Sequence, residues 1–152
     1  AVVLGLIANT LLEWFRLSLH AHHQQEATRR ALVAELQAML ETTRNNVNNM
    51  RGSPPPGGSV MRMPIKETYP GFGWALPTVG LLTGAEISAV FKAYDYMNSW
   101  VEIVSMIGRL ERVEGRLFGH VGADNCDTIL SALEDRERIL SAAVSELGAK
   151  LK

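Results

Sequence analysis

The sequence predicts an all-α protein: a long N-terminal helix running into a three- or four-element antiparallel helical bundle, interrupted by one irregular Pro/Gly-rich segment. Three observations carry this. Apolar residues recur at helical 3/4 spacing over most of the chain, alternating β-branched runs are scarce, and all six prolines fall between Pro54 and Pro77. A chain of 152 residues can bury a core without a disulfide or metal staple. Its single cysteine, Cys126, and formal charge of −1 call for neither a disulfide framework nor a nucleic-acid partner.

Residues 1–12 carry no charge, and Glu13, Trp14, Phe15 and Arg16 follow. An apolar stretch closed by Trp and Arg is how a membrane helix meets the headgroups. Residues 1–19 are therefore expected to form a membrane anchor, with Trp14, Phe15 and Arg16 at the membrane interface. Twelve residues rise only about 18 Å against a bilayer core of about 30 Å, so the span is incomplete. An interfacial helix and an apolar helix end buried in a core are the alternatives. Arg16, Arg29 and Arg30 beyond the apolar run place the bundle on the cytoplasmic side of the cell membrane. Gly5 and Ala8 offer a close-approach face to another span.

No breaker separates this segment from residues 20–51. Leu32, Leu36, Met39, Leu40, Thr43, Val47 and Met50 mark one stripe, and Glu26, Arg29, Arg30, Glu35, Gln37, Glu41 and Arg44 mark the polar face. One continuous helix ending near Gly52 is the expectation. Residues 52–82 open with GSPPPGG and read as a linker. The Tyr69, Phe72 and Trp74 that follow are expected to dock, either capping the bundle or contacting a partner. T-G-A-E at Thr83–Glu86 is a capping box, opening a helix expected over 83–118. GHVGADN reads as a turn. Asp124 or Asn125 is expected to cap a last helix over 124–150.

Signals for chemistry are weak. His20, His22 and His23 form the one histidine cluster, and a metal site built on them is an alternative. They fan around the helix, and a solvated collar fits them better. No nucleophile motif or phosphate loop appears. The mixed charges Glu134–Arg138 and Arg109–Arg116 read as solvated faces. No catalytic residue, cofactor, bound metal, nucleic acid or small-molecule substrate is expected.

L-L-E-W-F-R at Leu11–Arg16, A-L-V-A-E-L-Q-A-M-L at Ala31–Leu40 and W-A-L-P-T-V-G-L-L-T-G-A-E-I at Trp74–Ile87 resemble a loose class of uncharacterised bacterial proteins. Those carry one N-terminal membrane span and a small helical body. The resemblance implies an architecture and no activity. HAHHQQ at His20–Gln25 departs from the Arg/Glu-rich juxtamembrane stretch of that class. The expected function is a non-enzymatic accessory or scaffold subunit of a bacterial membrane assembly, respiratory or photosynthetic for instance, bound to the bilayer and to other subunits. A stand-alone sensor bundle that homodimerises through its first helix is the alternative.

Overall fold

The computed structural model describes residues 2–52, 57 and 59–151, with side chains from residue 12 onward in the first helix. Most of the linker GSPPPGG, and the packing around Gly5 and Ala8, lie outside the described residues. The chain is mostly helical, and among the described residues it also holds a three-stranded antiparallel sheet. The all-α expectation is corrected on that point.

Helix α1 is unbroken from Val2 to Gly52, about 75 Å at 1.5 Å per residue. Its expected stripe is buried: Leu32, Leu36, Met39, Leu40, Thr43, Val47 and Met50. Strand β1, Val60–Ile65, follows the linker. A six-residue helix α2, Pro70–Ala75, and a 3₁₀ segment, Leu76–Leu81, then lead back toward the middle of α1. Helix α3, Gly84–Ile107, opens on the capping box at Thr83, complete in both directions.

At Gly108 the expected helix stops and the chain turns extended. Gly108–Val113 is strand β2 and Arg116–Gly122 is strand β3. Glu114 (φ +49°) and Gly115 (φ +79°) form the two-residue turn between them. Two left-handed residues make the tight connection whose twist matches paired strands. Strand order is β1-β3-β2, with Ile65 opposite Leu117 and Arg112 opposite Leu117 on the other edge. Leu117, Gly119 and Val121 alternate inward along β3, the period of two that a strand requires. The segment expected as helix end and turn is therefore a hairpin.

Gly108 has a steric reason for its place. A Cβ there would overlap the carbonyl oxygen of His120, backbone that cannot swing away. Gly108→Ala is expected to cost about 1–3 kcal/mol, seen as a lower urea midpoint with an unchanged slope.

Helix α4, Cys126–Gly148, closes the fold. Asn125 does not cap it through its side chain. Its amide instead donates to the Ile107 carbonyl at 2.8 Å, satisfying a group left open at the end of α3.

The core forms two clusters along α1. Leu32, Leu36 and Leu40 pack with Val90, Tyr94, Met97, Leu140, Ala143 and Leu147. Val47 and Met50 pack with Trp100, Val104, Ile129, Leu133 and the sheet residues Met63, Ile65, Leu117 and Val121. Progress along α1 thus matches progress along α3 and runs against α4. Helices α1 and α3 are parallel, α4 is antiparallel to both, and the segment between α1 and α3 makes the return.

The membrane expectation is corrected as well. Among the described residues, no helix is long and apolar enough to cross a membrane. Glu13 and Arg16 place charge within the first about 20 described residues of the helix, the length that a span needs. Single-pass localisation and the reading as a membrane protein with a transmembrane helix lose their basis. Orientation from flanking arginines fails with them, because Arg29 is not at a surface at all.

Candidate functional site

Arg29 and Glu86 form an ion pair inside the molecule, 6% and 0% exposed. Arg29 Nε donates to Glu86 Oε1 at 2.6 Å and Nη2 to Oε2 at 3.1 Å. Glu86 also accepts from the Thr83 backbone N–H at 2.8 Å and hydroxyl at 2.9 Å. Lys150 Nζ sits 3.9 Å from Oε2. Burial alone would raise the Glu86 pKa. The bonds from Arg29 and Thr83 outweigh it and lower the carboxyl from 4.5 to about 2.

Glu35, one and a half turns further along α1, is a second internal anchor. It accepts from the backbone N–H groups of Gly71 (3.1 Å) and Phe72 (3.0 Å) and from the Tyr94 hydroxyl (2.6 Å). Lys66 Nζ lies 3.8 Å away. Burial raises the Tyr94 pKa, and the Glu35 carboxylate raises it further. Arg29 and Glu35 are thus both turned inward, not placed on a solvated face.

The three aromatic residues expected to contact a partner are separated. Tyr69 lies edge-on to Tyr94 with centroids 5.8 Å apart, its hydroxyl 3.0 Å from the Lys66 carbonyl oxygen. Phe72 stacks on Tyr94 at 4.3 Å and meets Phe91 edge-on at 5.7 Å. These two fix the α2 segment to the body. Trp74 points away and is 60% exposed.

The N-terminal part of α1 is different. Its first described side-chain hydrogen bond to another element comes from Gln25, whose amide donates to the Leu81 carbonyl. Thr28 and Thr78 hydroxyls then meet at 2.6 Å. Ahead of that anchorage, Leu12, Trp14, Phe15, Leu17 and Leu19 are 54%, 68%, 63%, 70% and 47% exposed. At 100° per residue they spread around the helix, with Leu12, Phe15 and Leu19 on one side and Trp14 and Leu17 roughly opposite. Arg16 is exposed among them.

The histidines do not converge. His20, His22 and His23 are all exposed, and the His22 and His23 rings stand 6.3 Å apart at 51°. Among the described residues, no group of three or more His, Cys, Asp or Glu side chains is placed to hold a metal. Glu26, four residues beyond His22, pairs with Arg30 at 2.6 Å.

A cleft between α1, β1, α3 and α4 was not anticipated. It holds about 130 Å³ and is lined in part by Thr42, Thr43, Asn46, Lys66, Trp100 and Arg136. Sequence spacing could not assemble it, because its residues come from four elements. The hint available was Arg136, a cation on the apolar side of an otherwise regular helix. Compared with known protein families, characterised proteins and solved structures, the chain shows no significant match to any of them.

Proposed function

We propose that the chain is a non-enzymatic assembly protein that acts through protein–protein contacts, and that the projecting start of α1 pairs with the same segment of a second copy. One observation carries the reading: of five large apolar side chains 47–70% exposed within eight residues of a helix, Leu12, Phe15 and Leu19 share one side. Covering one such side chain is worth about 1.5–3 kcal/mol, which leaves a strong drive to pair.

The charges on this segment favour a second copy over an unrelated partner. Leu12, Phe15 and Leu19 have the 3/4 spacing of a packing seam, and Glu13 and Arg16 flank it on the same side. In an antiparallel pair, like flanks face each other. Glu13 of one copy then meets Arg16 of the other, and the two-fold axis repeats the contact. A parallel pair would lack this match.

Light scattering after size exclusion tests it. The expected mass at tens of micromolar is twice 16.7 kDa. Glu13→Arg sets like charges against each other at both contacts and is expected to weaken pairing about tenfold or more. Adding Arg16→Glu to it should restore the dimer, and Phe15→Glu should abolish it. A wild-type protein that runs as a monomer, or a charge swap that fails to rescue, overturns the reading. Far-UV circular dichroism confirms that the body, remote from residues 12–19, is intact in each variant.

A further inference from the structure

The cleft lined by Lys66, Trp100 and Arg136 poses a charge problem that the fold does not solve internally. Arg136 has three acidic neighbours in sequence, and each is taken by another arginine. Glu134 pairs with Arg51 at 2.6 Å, Asp135 with Arg138 at 2.9 Å and Glu137 with Arg44 at 3.0 Å. Arg136 turns to the opposite side of α4, where its Nε is shut off from solvent and has no hydrogen-bond partner among the described residues. The guanidinium lies 4.9 Å above the centre of the Trp100 ring, and Trp100 is itself buried.

Such a contact returns about 0.5–2 kcal/mol, while withdrawing a cation from water costs several kcal/mol. Burial accordingly holds the Arg136 pKa below its ordinary value, with Tyr69 and Tyr96 pulling the other way. A side chain with five N–H donors in a fixed fork is thus held partly dry with no acceptor assigned to its Nε.

The rest of the lining has one chemical sense. Lys66 brings a second cation, half exposed and only loosely engaged by Glu35 at 3.8 Å. Asn46 brings an amide. Thr42 and Thr43 commit their hydroxyl protons to the Ala38 and Met39 carbonyls. Among the described residues, no carboxylate lines the cleft. Its 130 Å³ leaves room for one small tetrahedral oxyanion. Two cations favour a dianion over a monoanion, and a planar fork fits paired oxygens.

We propose that this cleft binds a small oxyanion of the phosphate type, held by the Arg136 fork and the Lys66 ammonium against the face of Trp100. The site is independent of the pairing surface on α1.

Thermal unfolding with inorganic phosphate as the probe, against sodium chloride at equal ionic strength, tests it. Wild type is expected to show a saturable rise in Tm with phosphate. Arg136→Met and Lys66→Met should each weaken apparent binding about tenfold or more. Lys66 is exposed enough that its loss leaves the fold intact, so this variant reads binding even if Arg136→Met proves unstable. Arg138→Gln, on the outer face of the same helix, should bind like wild type. Acetate, planar and singly charged, should bind more weakly than phosphate. The proposal is overturned by the absence of a saturable rise, by a rise that survives Lys66→Met unchanged, or by acetate binding as tightly as phosphate.

Discussion

Arg29→Met is expected to destabilise the protein by about 3–5 kcal/mol, a large share of the roughly 5–15 kcal/mol that holds a domain folded. The loss comes less from the ion pair than from what remains. Glu86 is fully buried, and without the guanidinium its charge has only the Thr83 donors and a Lys150 ammonium 3.9 Å away. Removing both charges together, in Arg29→Met with Glu86→Leu, should cost clearly less than Arg29→Met alone. The residual cost is the lost capping box, about 1 kcal/mol. Urea unfolding followed by circular dichroism measures all three proteins. A double variant no more stable than the single one would refute this account of the pair.

The same pair sets an acid limit. Its folded pKa of about 2 lies below the ordinary 4.5, so the folded state holds the proton more weakly than the unfolded chain does. Its contribution is complete above about pH 4.5 and is lost as pH falls toward 2. Wild type should therefore lose stability across that window. Arg29→Met should lose less, because neutralising its stranded carboxylate relieves part of the damage.

Glu35→Ala is the second large effect, expected at about 2–4 kcal/mol. Three donors converge on this carboxylate, and Tyr94, the one that contributes a side chain, is 2% exposed. Truncation leaves that hydroxyl without its acceptor and releases the backbone at Gly71 and Phe72. Tyr94→Phe removes one bond and leaves the other two, so about 1 kcal/mol is expected. The two variants also differ in place. Glu35→Ala should speed amide exchange at Gly71 and Phe72 and open residues 66–81 to protease well before global unfolding, while Tyr94→Phe should not.

Much of the helical frame was legible. The stripe from Leu32 to Met50 is the buried face of α1, and T-G-A-E marks the start of α3, because periodicity and capping are local properties of sequence. The hairpin was masked by a coincidence of spacing. Val101, Val104, Ile107 and Leu110 continue a helical stripe across Gly108, and Arg and Glu are good helix formers. The alternation in Leu117, Gly119 and Val121 was hidden because its middle member is a glycine. That position stays small because Val104 occupies the space a Cβ would need. Arg29, Glu35 and Arg136 were read as solvated because charges on an amphipathic helix usually are. Their actual neighbours lie far off in sequence: Glu86 is 57 residues from Arg29 and Tyr94 is 59 from Glu35. The apolar start of α1 was read as a membrane anchor, and the structure leaves Leu12, Trp14, Phe15, Leu17 and Leu19 exposed on a helix not apolar enough to cross a membrane.

Strand β1 lies before α3 in the chain, yet its ladder partner is β3, which lies after α3. The β2–β3 hairpin closes over two residues and needs no earlier strand, whereas β1 must wait for β3. During synthesis the sheet therefore has an order of assembly. A chain that has emerged only as far as α3 offers β1 no edge to join, and Met63 and Ile65 stay uncovered by the sheet until Leu117 and Val121 arrive. The last strand made is the middle one, so neither edge strand has a ladder partner until it arrives.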